Sequence, residues 1–174
     1  MRKIFAIALS LISLAFISCQ KDPIGGTALQ EMSGQWYVTA DAVDANGALP
    51  AEDYADFFGA GSFLVLTYNT SADTENELIV DDLGNFWEFK VKAACNLGAK
   101  TFGNSAEVAN LAYDCNVKLW NGKIVKDGAT TPSGMKADYI EFEVSFDDDD
   151  YPEQYGYDHY KIHGYHYTGF VNDD

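Results

Sequence analysis

A period-two alternation of apolar and polar residues constrains this chain more than any other feature of its sequence. From Ala137 to Phe146 apolar side chains alternate with polar ones, and the segments Gln35–Asp41 and Asn85–Ala94 show the same pattern. Successive side chains of a β-strand point to opposite faces, so these segments predict strands with one buried and one exposed face. Helical spacing is confined to Ala51–Phe58, where one or two turns are predicted.

Further strands and turns follow the same pattern along the chain. The additional predicted strands are Ser62–Asn69, Glu77–Asp81, Lys100–Phe102, Tyr113–Trp120, Lys123–Val125 and Tyr157–Phe170. Asn121-Gly122 predicts a hairpin turn with positive φ, and Thr131–Gly134 predicts another turn. We therefore expect an all-β domain of roughly eight antiparallel strands, which has to close into a barrel or stack as two sheets.

The residues on the inward face of these strands are large and aromatic. An eight-stranded barrel is wide enough to hold one small ligand. The aromatic side chains either fill such an interior or line a cavity in it, and the pattern alone leaves both alternatives open. The predicted ligand-binding set is Trp36, Phe63, Trp87, Phe89, Phe142 and Phe146.

The N-terminus has the three parts of a secretory signal. Two cations, Arg2 and Lys3, precede an apolar run from Ile4 to Ile17 that ends at Ser18-Cys19. This run is shorter than the ~20 residues of a membrane-spanning helix, which disfavours a retained anchor helix. The stretch from Leu14 to Cys19 resembles a bacterial lipobox, so we predict a signal peptide at 1–18 and lipid attachment at Cys19. An ordinary signal with a chance cysteine is the alternative.

The residues after Cys19 predict the destination of the mature protein. Gln20-Lys21-Asp22 resembles the charged signal that sends Bacteroidetes lipoproteins to the outer face of the outer membrane. An outer-membrane lipoprotein exposed at the cell surface is expected, and a periplasmic location is the alternative. The expected organisation is a signal peptide at 1–18, a lipidated tether at 19–33 and a β-barrel domain at 34–174.

The charge of the mature chain excludes one class of partner. Of 11 Lys and Arg residues, two lie in the signal peptide, which leaves 9 cations against 27 acids and a net charge of 9 − 27 = −18. No basic patch is present to bind a nucleic acid backbone. Arg2 is the only arginine. The mature domain therefore lacks the planar fork that grips phosphate or carboxylate.

Two cysteines remain once Cys19 carries lipid. Cys95 and Cys115 are an even pair in an oxidising compartment, which favours a disulfide. Two buried thiols are the alternative reading of the same pair.

No catalytic or metal-binding motif is apparent, and no cofactor is expected. The G-x-S-x-G nucleophile elbow is absent. On an extended strand His159 and His163 share a face while His166 points to the other, so the three cannot converge on a metal. The acidic run Asp147–Asp150 lacks the spaced carboxylates and glycine of a calcium loop.

Several motifs, taken in order, resemble one known family. Gly34-Gln35-Trp36 looks like the G-x-W of lipocalin-type barrels. The later motifs are Thr67–Thr70, Phe86–Lys92, Asn121–Ile124, Thr131–Gly134, Asp138–Asp149 and His163–Phe170. Together they resemble the Bacteroidetes lipoproteins known as the lipid-binding putative hydrolase family. That family usually carries arginines before the terminal Thr-Gly-Phe, whereas this chain has Tyr165, His166 and Tyr167.

This resemblance implies a single lipocalin-like barrel that binds a lipid or another apolar small molecule. His166 is expected to replace the cation that packs over the first-strand tryptophan of lipocalins. A surface glycan-binding or protein-interaction module, with a glycan or an outer-membrane protein as partner, is the alternative function. This alternative is suggested by the C-terminal tyrosines, among them Tyr155, Tyr157 and Tyr165. Lipid-directed hydrolysis comes third, because only the family name suggests it.

Overall fold

The computed structural model describes residues 25–49 and 61–173. The predicted signal peptide at 1–18, the lipidation site Cys19 and the predicted helical turns at Ala51–Phe58 lie outside the described residues.

Strands make up about half of the described chain. They are β1 (Gly34–Val43), β2 (Phe63–Asn69), β3 (Glu77–Asp81), β4 (Lys90–Asn96), β5 (Thr101–Gly103), β6 (Val108–Ala109), β7 (Asn116–Thr130), β8 (Lys136–Phe146) and β9 (His159–His166). The helical elements described are α1 (Tyr151–Gln154) and two 3-10 turns at Gln30–Met32 and Val171–Asp173. Within the described ranges, no helix has the length and apolar character needed to cross a membrane.

Eight of the strands close into an antiparallel barrel. Strands β1 to β4 each pair with the next strand, and β5 pairs with β7. Strand β7 pairs with β8, β8 pairs with β9, and β9 pairs with β1, which closes the barrel. The short β6 adds to the side of β7. The predicted all-β barrel is therefore confirmed.

The predicted alternation fills the barrel interior. On β1 the inward side chains are Trp36, Val38 and Ala40, and on β8 they include Phe142 and Val144; none is more than 6% exposed. The intervening side chains form an outer face in which charged groups pair across strands. Transfer of the inward side chains from water, at about 25 cal/mol per Å² of apolar surface, is the main drive for closure.

A buried hydrogen-bond chain caps one end of the barrel. Leu29 and Met32, in and beside the first 3-10 turn, are completely buried. The indole Nε1 of Trp36 donates to Thr67 Oγ1 at 2.8 Å, and that hydroxyl donates to the carbonyl of Met32 at 2.6 Å. One threonine on β2 thus joins the turn to β1, and we call this the capped end. Leu29 and Met32, which lie within the predicted tether at 19–33, belong to the core.

Gly34 and His166 explain the G-x-W motif at the same end. The His166 ring meets the Trp36 ring edge-on, with centroids 5.2 Å apart. A Cβ on Gly34 would lie 2.8 Å from His166 Nε2, so only glycine leaves space for this histidine. His166 therefore does pack on the first-strand tryptophan, as the sequence predicted.

Two predicted elements differ from the observed strands. Asn121-Gly122 is not a hairpin turn, because β7 runs through it with an irregularity between Trp120 and Lys123, and Gly122 pairs with Phe102 on β5. The predicted strand Asn85–Ala94 begins only at Lys90. Residues 85–89 before it belong to the β3–β4 connection, where Glu88 has a φ of 51°.

The predicted disulfide is not formed, since Cys95 and Cys115 are both free thiols. Cys95 pairs with Phe102, which in turn pairs with Gly122. Cys115 lies seven positions before Gly122. At about 3.3 Å per residue, it is roughly 23 Å from Gly122 along the chain. A disulfide requires Cα atoms within about 7 Å, so the two cysteines are too far apart to bond.

We expect Thr67→Val to lower the free energy of unfolding by about 2–4 kcal/mol, because it leaves the buried Trp36 N–H and Met32 carbonyl without partners. Urea unfolding of a chain starting at residue 20, followed by tryptophan fluorescence, measures the change. Thr101→Val is the matched control, since this strand threonine is exposed and its loss should cost less than about 0.5 kcal/mol. Equal losses in the two variants would contradict the role given to Thr67.

Thiol titration separates the two cysteines. The same soluble chain, denatured without reductant, should show two reactive thiols. In the native protein we expect Cys95 to react before Cys115, because Cys115 is 9% exposed and accepts a hydrogen bond from Asn110 Nδ2. A Cys95→Ser variant should leave only the slow thiol. Absence of reactive thiols in the denatured, unreduced chain would show that a disulfide forms after all.

Candidate functional site

The end of the barrel opposite the cap is rich in aromatic side chains. Strands β1, β3 and β8 end there, and β2, β4, β7 and β9 begin there. Five rings meet at this end, and we call it the aromatic end: Phe63, Phe86, Trp87, Phe146 and Tyr160.

The β3–β4 connection holds two of these rings in place through one buried carboxylate. Asp82 is completely buried. Its Oδ1 accepts the backbone N–H of Gly84 at 2.9 Å, and its Oδ2 accepts those of Phe86 at 3.0 Å and Trp87 at 2.9 Å. An aspartate that satisfies three backbone donors fixes the turn, and the turn directs Phe86 and Trp87 over the barrel end.

The rings at the aromatic end contact one another closely. Phe86 stacks on Phe63 with centroids 5.6 Å apart and meets Tyr160 edge-on at 5.1 Å. Trp87 stacks on Phe146 at 5.6 Å. Offset and edge-on pairs at these separations are favourable arrangements for aromatic rings.

The six residues predicted to bind a ligand are distributed along the length of the barrel. Phe89 and Phe142 lie in the middle, completely buried and with their ring centroids 6.3 Å apart. Trp36 belongs to the capped end. Phe63, Trp87 and Phe146 are at the aromatic end, and Trp87 alone among the six is partly exposed. The two central rings pack as core, so space for a ligand lies beside Trp87.

A recess of about 420 Å³ lies at the aromatic end. Its described lining consists of Gly84, Phe86, Trp87, Glu88, Tyr113 and Asp148. Asp148 joins two of the walls, because Oδ1 accepts the Trp87 indole N–H at 3.4 Å and Oδ2 accepts the Tyr113 hydroxyl at 2.9 Å. The recess therefore combines three aromatic rings with two carboxylates.

Apolar side chains continue from the recess onto the surface around it. Leu83 is 51% exposed in the β3–β4 connection, and Leu111 is 53% exposed just before Tyr113. The backbone N–H of Leu111 donates to the carbonyl of Lys90 at 2.8 Å, which fixes this segment against the start of β4. Exposed leucines beside an aromatic recess are typical of a surface that binds an apolar ligand.

The tyrosine hydroxyls at this end remain protonated donors. Burial raises the pKa of Tyr113, and hydrogen bonds to Cys115 and Asp148 raise it further. Burial also raises the pKa of Tyr160, whose hydroxyl donates to Asp149 Oδ2 at 2.6 Å. Both side chains therefore act as neutral hydrogen-bond donors to the acidic run that follows β8.

The outer face of β1, β8 and β9 carries two histidine–carboxylate pairs. His163 Nε2 lies 2.6 Å from Asp41 Oδ2, and His159 Nε2 lies 3.1 Å from Glu143 Oε2. Burial lowers the pKa of His159 despite the neighbouring Glu143. No hydroxyl nucleophile in the described chain is hydrogen-bonded to either histidine. Each pair therefore provides a hydrogen-bond partner for a buried carboxylate on the outer face.

The three histidines are held apart, as expected from their strand positions: His159 on Glu143, His163 on Asp41 and His166 on Trp36. A different group, Cys115 with Asp147 and Asp148, brings its ligand atoms within 4.8 Å of one another. The carboxylates of this group already accept hydrogen bonds, Asp147 from Asn116 and Asp148 from Trp87 and Tyr113.

Two further recesses lie on the outer surface of the barrel. One, of about 740 Å³, runs across β4, β5, β7 and β8 beside Trp120 and Glu143. The other, of about 230 Å³, lies between Tyr37, Tyr139 and His163. The first has the core residue Phe102 in its lining and the second has Val38, but neither is lined by Phe86, Trp87 or Tyr113.

The sequence analysis missed Phe86, Tyr113 and Asp148 as site residues. The alternation over Asn85–Ala94 predicts a strand in which Phe86 lies on the face opposite Trp87. Tyr113 and Asp148 are far apart in the sequence and meet only because β7 and β8 pair antiparallel. The sequence signal that could have identified Phe86 is Asp82 before Gly84, a pattern typical of a turn.

The tyrosines of the alternative function do not form one surface. Tyr155 is 57% exposed on the segment after α1, at the aromatic end. Tyr165 pairs with Tyr37 on β1, toward the capped end, and its hydroxyl donates to the carbonyl of Asp173.

Comparison with known proteins identifies one family. Curated proteins give no match to this chain. A family model described as lipid-binding putative hydrolase matches residues 21–171, which include every strand. The family and the β-barrel together fit a lipid-binding role. The chain belongs to the lipid-binding putative hydrolase family.

Proposed function

We propose that this protein is a membrane-anchored lipoprotein that binds a lipid or another apolar small molecule at the aromatic end of its barrel. The observation that carries the proposal is the recess beside Trp87, which adjoins the buried rings of a protein from a lipid-binding family.

The packing of the barrel interior favours a ligand site at the aromatic end over one in the centre of the barrel. Phe89 and Phe142 are completely buried, and Phe102 packs against Phe142 with centroids 5.8 Å apart. A ligand that entered the centre would have to displace these rings, each of which contributes about 1.5–3 kcal/mol by its burial. At the aromatic end Phe86 and Trp87 are already partly exposed. A ligand can cover their remaining surface without disrupting the core.

The surrounding surface supports an apolar ligand. Leu83 and Leu111 present more than half of their surface to solvent beside the recess. A hydrocarbon chain against these leucines and the Trp87 ring would gain about 0.8 kcal/mol per buried methylene. A micromolar affinity corresponds to about 8 kcal/mol, so it requires roughly a dozen buried methylenes, because part of their gain offsets the motion lost on association.

Membrane anchoring through Cys19 is supported by the sequence at the N-terminus. Cations, an apolar run and a lipobox-like stretch precede this cysteine. The described chain enters the barrel at the capped end, where Leu29 and Met32 are buried. An anchor attached through the N-terminus would leave the aromatic end on the far side of the barrel.

Binding of the neutral apolar probe N-phenyl-1-naphthylamine tests the ligand site. We expect its fluorescence to rise on titration with a soluble chain starting at residue 20. Trp87→Ala should weaken binding about tenfold, which is the effect of losing roughly 1.4 kcal/mol of aromatic contact. Circular dichroism of each variant verifies that the barrel is folded.

Trp120→Ala is the matched control for that experiment, because Trp120 lies on the outer face of β7 under Lys118 Nζ. Its loss should leave the affinity unchanged. If the folded wild-type chain does not bind the probe, or if both tryptophan variants weaken binding equally, the aromatic end is not the ligand site.

Metabolic labelling with a fatty acid tests the anchor. Cys19→Ala in the full chain should abolish incorporation of the label and leave an uncleaved precursor, since Cys19 is the proposed acceptor. Cys95→Ala should be labelled like the wild type, because its thiol lies on β4 of the folded barrel. Label retained in the Cys19→Ala protein would exclude this cysteine as the lipidation site.

A further inference from the structure

We infer that the recess at the aromatic end selects a ligand whose polar group is a positively charged ammonium, preferably a quaternary one. This inference rests on the proposed binding of an apolar molecule at the same end and specifies the polar part of that molecule.

The lining has the composition that recognises organic cations. Trp87, Phe86 and Tyr113 supply aromatic rings, whose faces attract a cation through the ring quadrupole. A trimethylammonium group cannot donate hydrogen bonds, so rings together with nearby negative charge are the surroundings it requires. A polar group that needed hydrogen-bond donors would find few here, because the Trp87 indole and the Tyr113 hydroxyl both already donate to Asp148.

The charges around the recess point to the same class of ligand. Glu88 and Asp148 border it, and both are exposed. No lysine is among its described lining residues. The nearest lysine in the sequence, Lys90, is held by Asp81 at 2.8 Å on the outer face. A carboxylate or phosphate at this position would meet two acids with no countercharge, whereas an ammonium group would neutralise them.

The geometry of Asp148 makes the negative charge part of the recess wall. The carboxylate accepts from the Trp87 indole on one oxygen and from the Tyr113 hydroxyl on the other. It is therefore fixed between the Trp87 indole N–H and the Tyr113 hydroxyl, so a cation bound in the recess would meet a carboxylate held in place beside aromatic rings. Preorganised charge of this kind favours binding because little motion is lost.

Competition between ligands with one chain and different polar groups tests the inference. N-Phenyl-1-naphthylamine bound to the soluble chain is displaced by dodecyltrimethylammonium, dodecyl maltoside or dodecyl sulfate, each below its micelle concentration. We expect the trimethylammonium compound to displace the probe at about tenfold lower concentration than the maltoside, and the sulfate to be the weakest. The ratio between the compounds isolates the polar group, because the hydrocarbon chain is the same.

Variants then locate the source of the preference. We define the preference ratio as the displacing concentration of the maltoside divided by that of the trimethylammonium compound. Asp148→Asn and Glu88→Gln should each reduce this ratio severalfold, and any loss of affinity that both compounds share cancels in it. Asp127→Asn is the matched control, since it removes one exposed acid at a bulged position of β7 far from the recess. The control should keep the wild-type ratio at physiological salt, where distant charges are screened.

The outcomes separate this inference from the function on which it rests. If the probe binds and the three compounds displace it equally, the ammonium preference is wrong while the apolar site stands. If Asp127→Asn reduces the ratio as much as Asp148→Asn, the preference comes from total charge and the inference is also overturned. Failure of the probe to bind the folded wild-type chain would overturn the proposed function itself.

Discussion

Closure of the barrel depends on a short contact between β5 and β7. Only Thr101–Gly103 forms β5, and two register pairs, Thr101 with Lys123 and Phe102 with Gly122, join it to β7. A Cβ on Gly122 would lie 2.5 Å from the Phe102 ring, so glycine is required for the two strands to approach. Without this contact the sheet would have two free edges, and β4 would be separated from β7. Phe89, just before β4, and Phe142 on β8 converge only because the sheet closes here.

The closed barrel divides its aromatic residues into a buried core and a partly exposed set at one end. Rings on the middle of the strands, such as Phe142, have neighbours on all sides and are inaccessible. Rings at a strand end or in a connection have neighbours on one side only, which leaves part of Trp87 exposed. A lipocalin-like fold with a filled centre can therefore still bind an apolar molecule at one end. The cost of burying a cavity within the core is avoided.

The fold could largely be predicted from the sequence, whereas the site could not. The alternation over Ala137–Phe146 follows from a strand with one buried and one exposed face. The predicted bounds agree with those of β8 to within one residue. The alternation at Phe86–Val91 is misleading, because Asp82 takes the backbone N–H groups of Phe86 and Trp87 that a strand would have used. Asn121-Gly122 is a dipeptide typical of a hairpin turn. In this protein it lies inside the long strand β7, where Gly122 pairs with Phe102 on β5. The recess needs Trp87, Tyr113 and Asp148 together, and only the pairing of distant strands brings them into contact.

The negative charge at the aromatic end opposes the self-association that the exposed apolar surface there would favour. Leu83, Leu111 and Trp87 at the aromatic end form a surface that would favour association between molecules. Two molecules that approached through these surfaces would also bring Glu88 and Asp148 of each into proximity, and like charges oppose that contact. The same carboxylates would not oppose an amphiphile with a cationic polar group, because its charge compensates theirs while its chain covers the leucines. Acids around an apolar recess thus oppose self-association, and the proposed function gives the same acids a part in selecting the ligand.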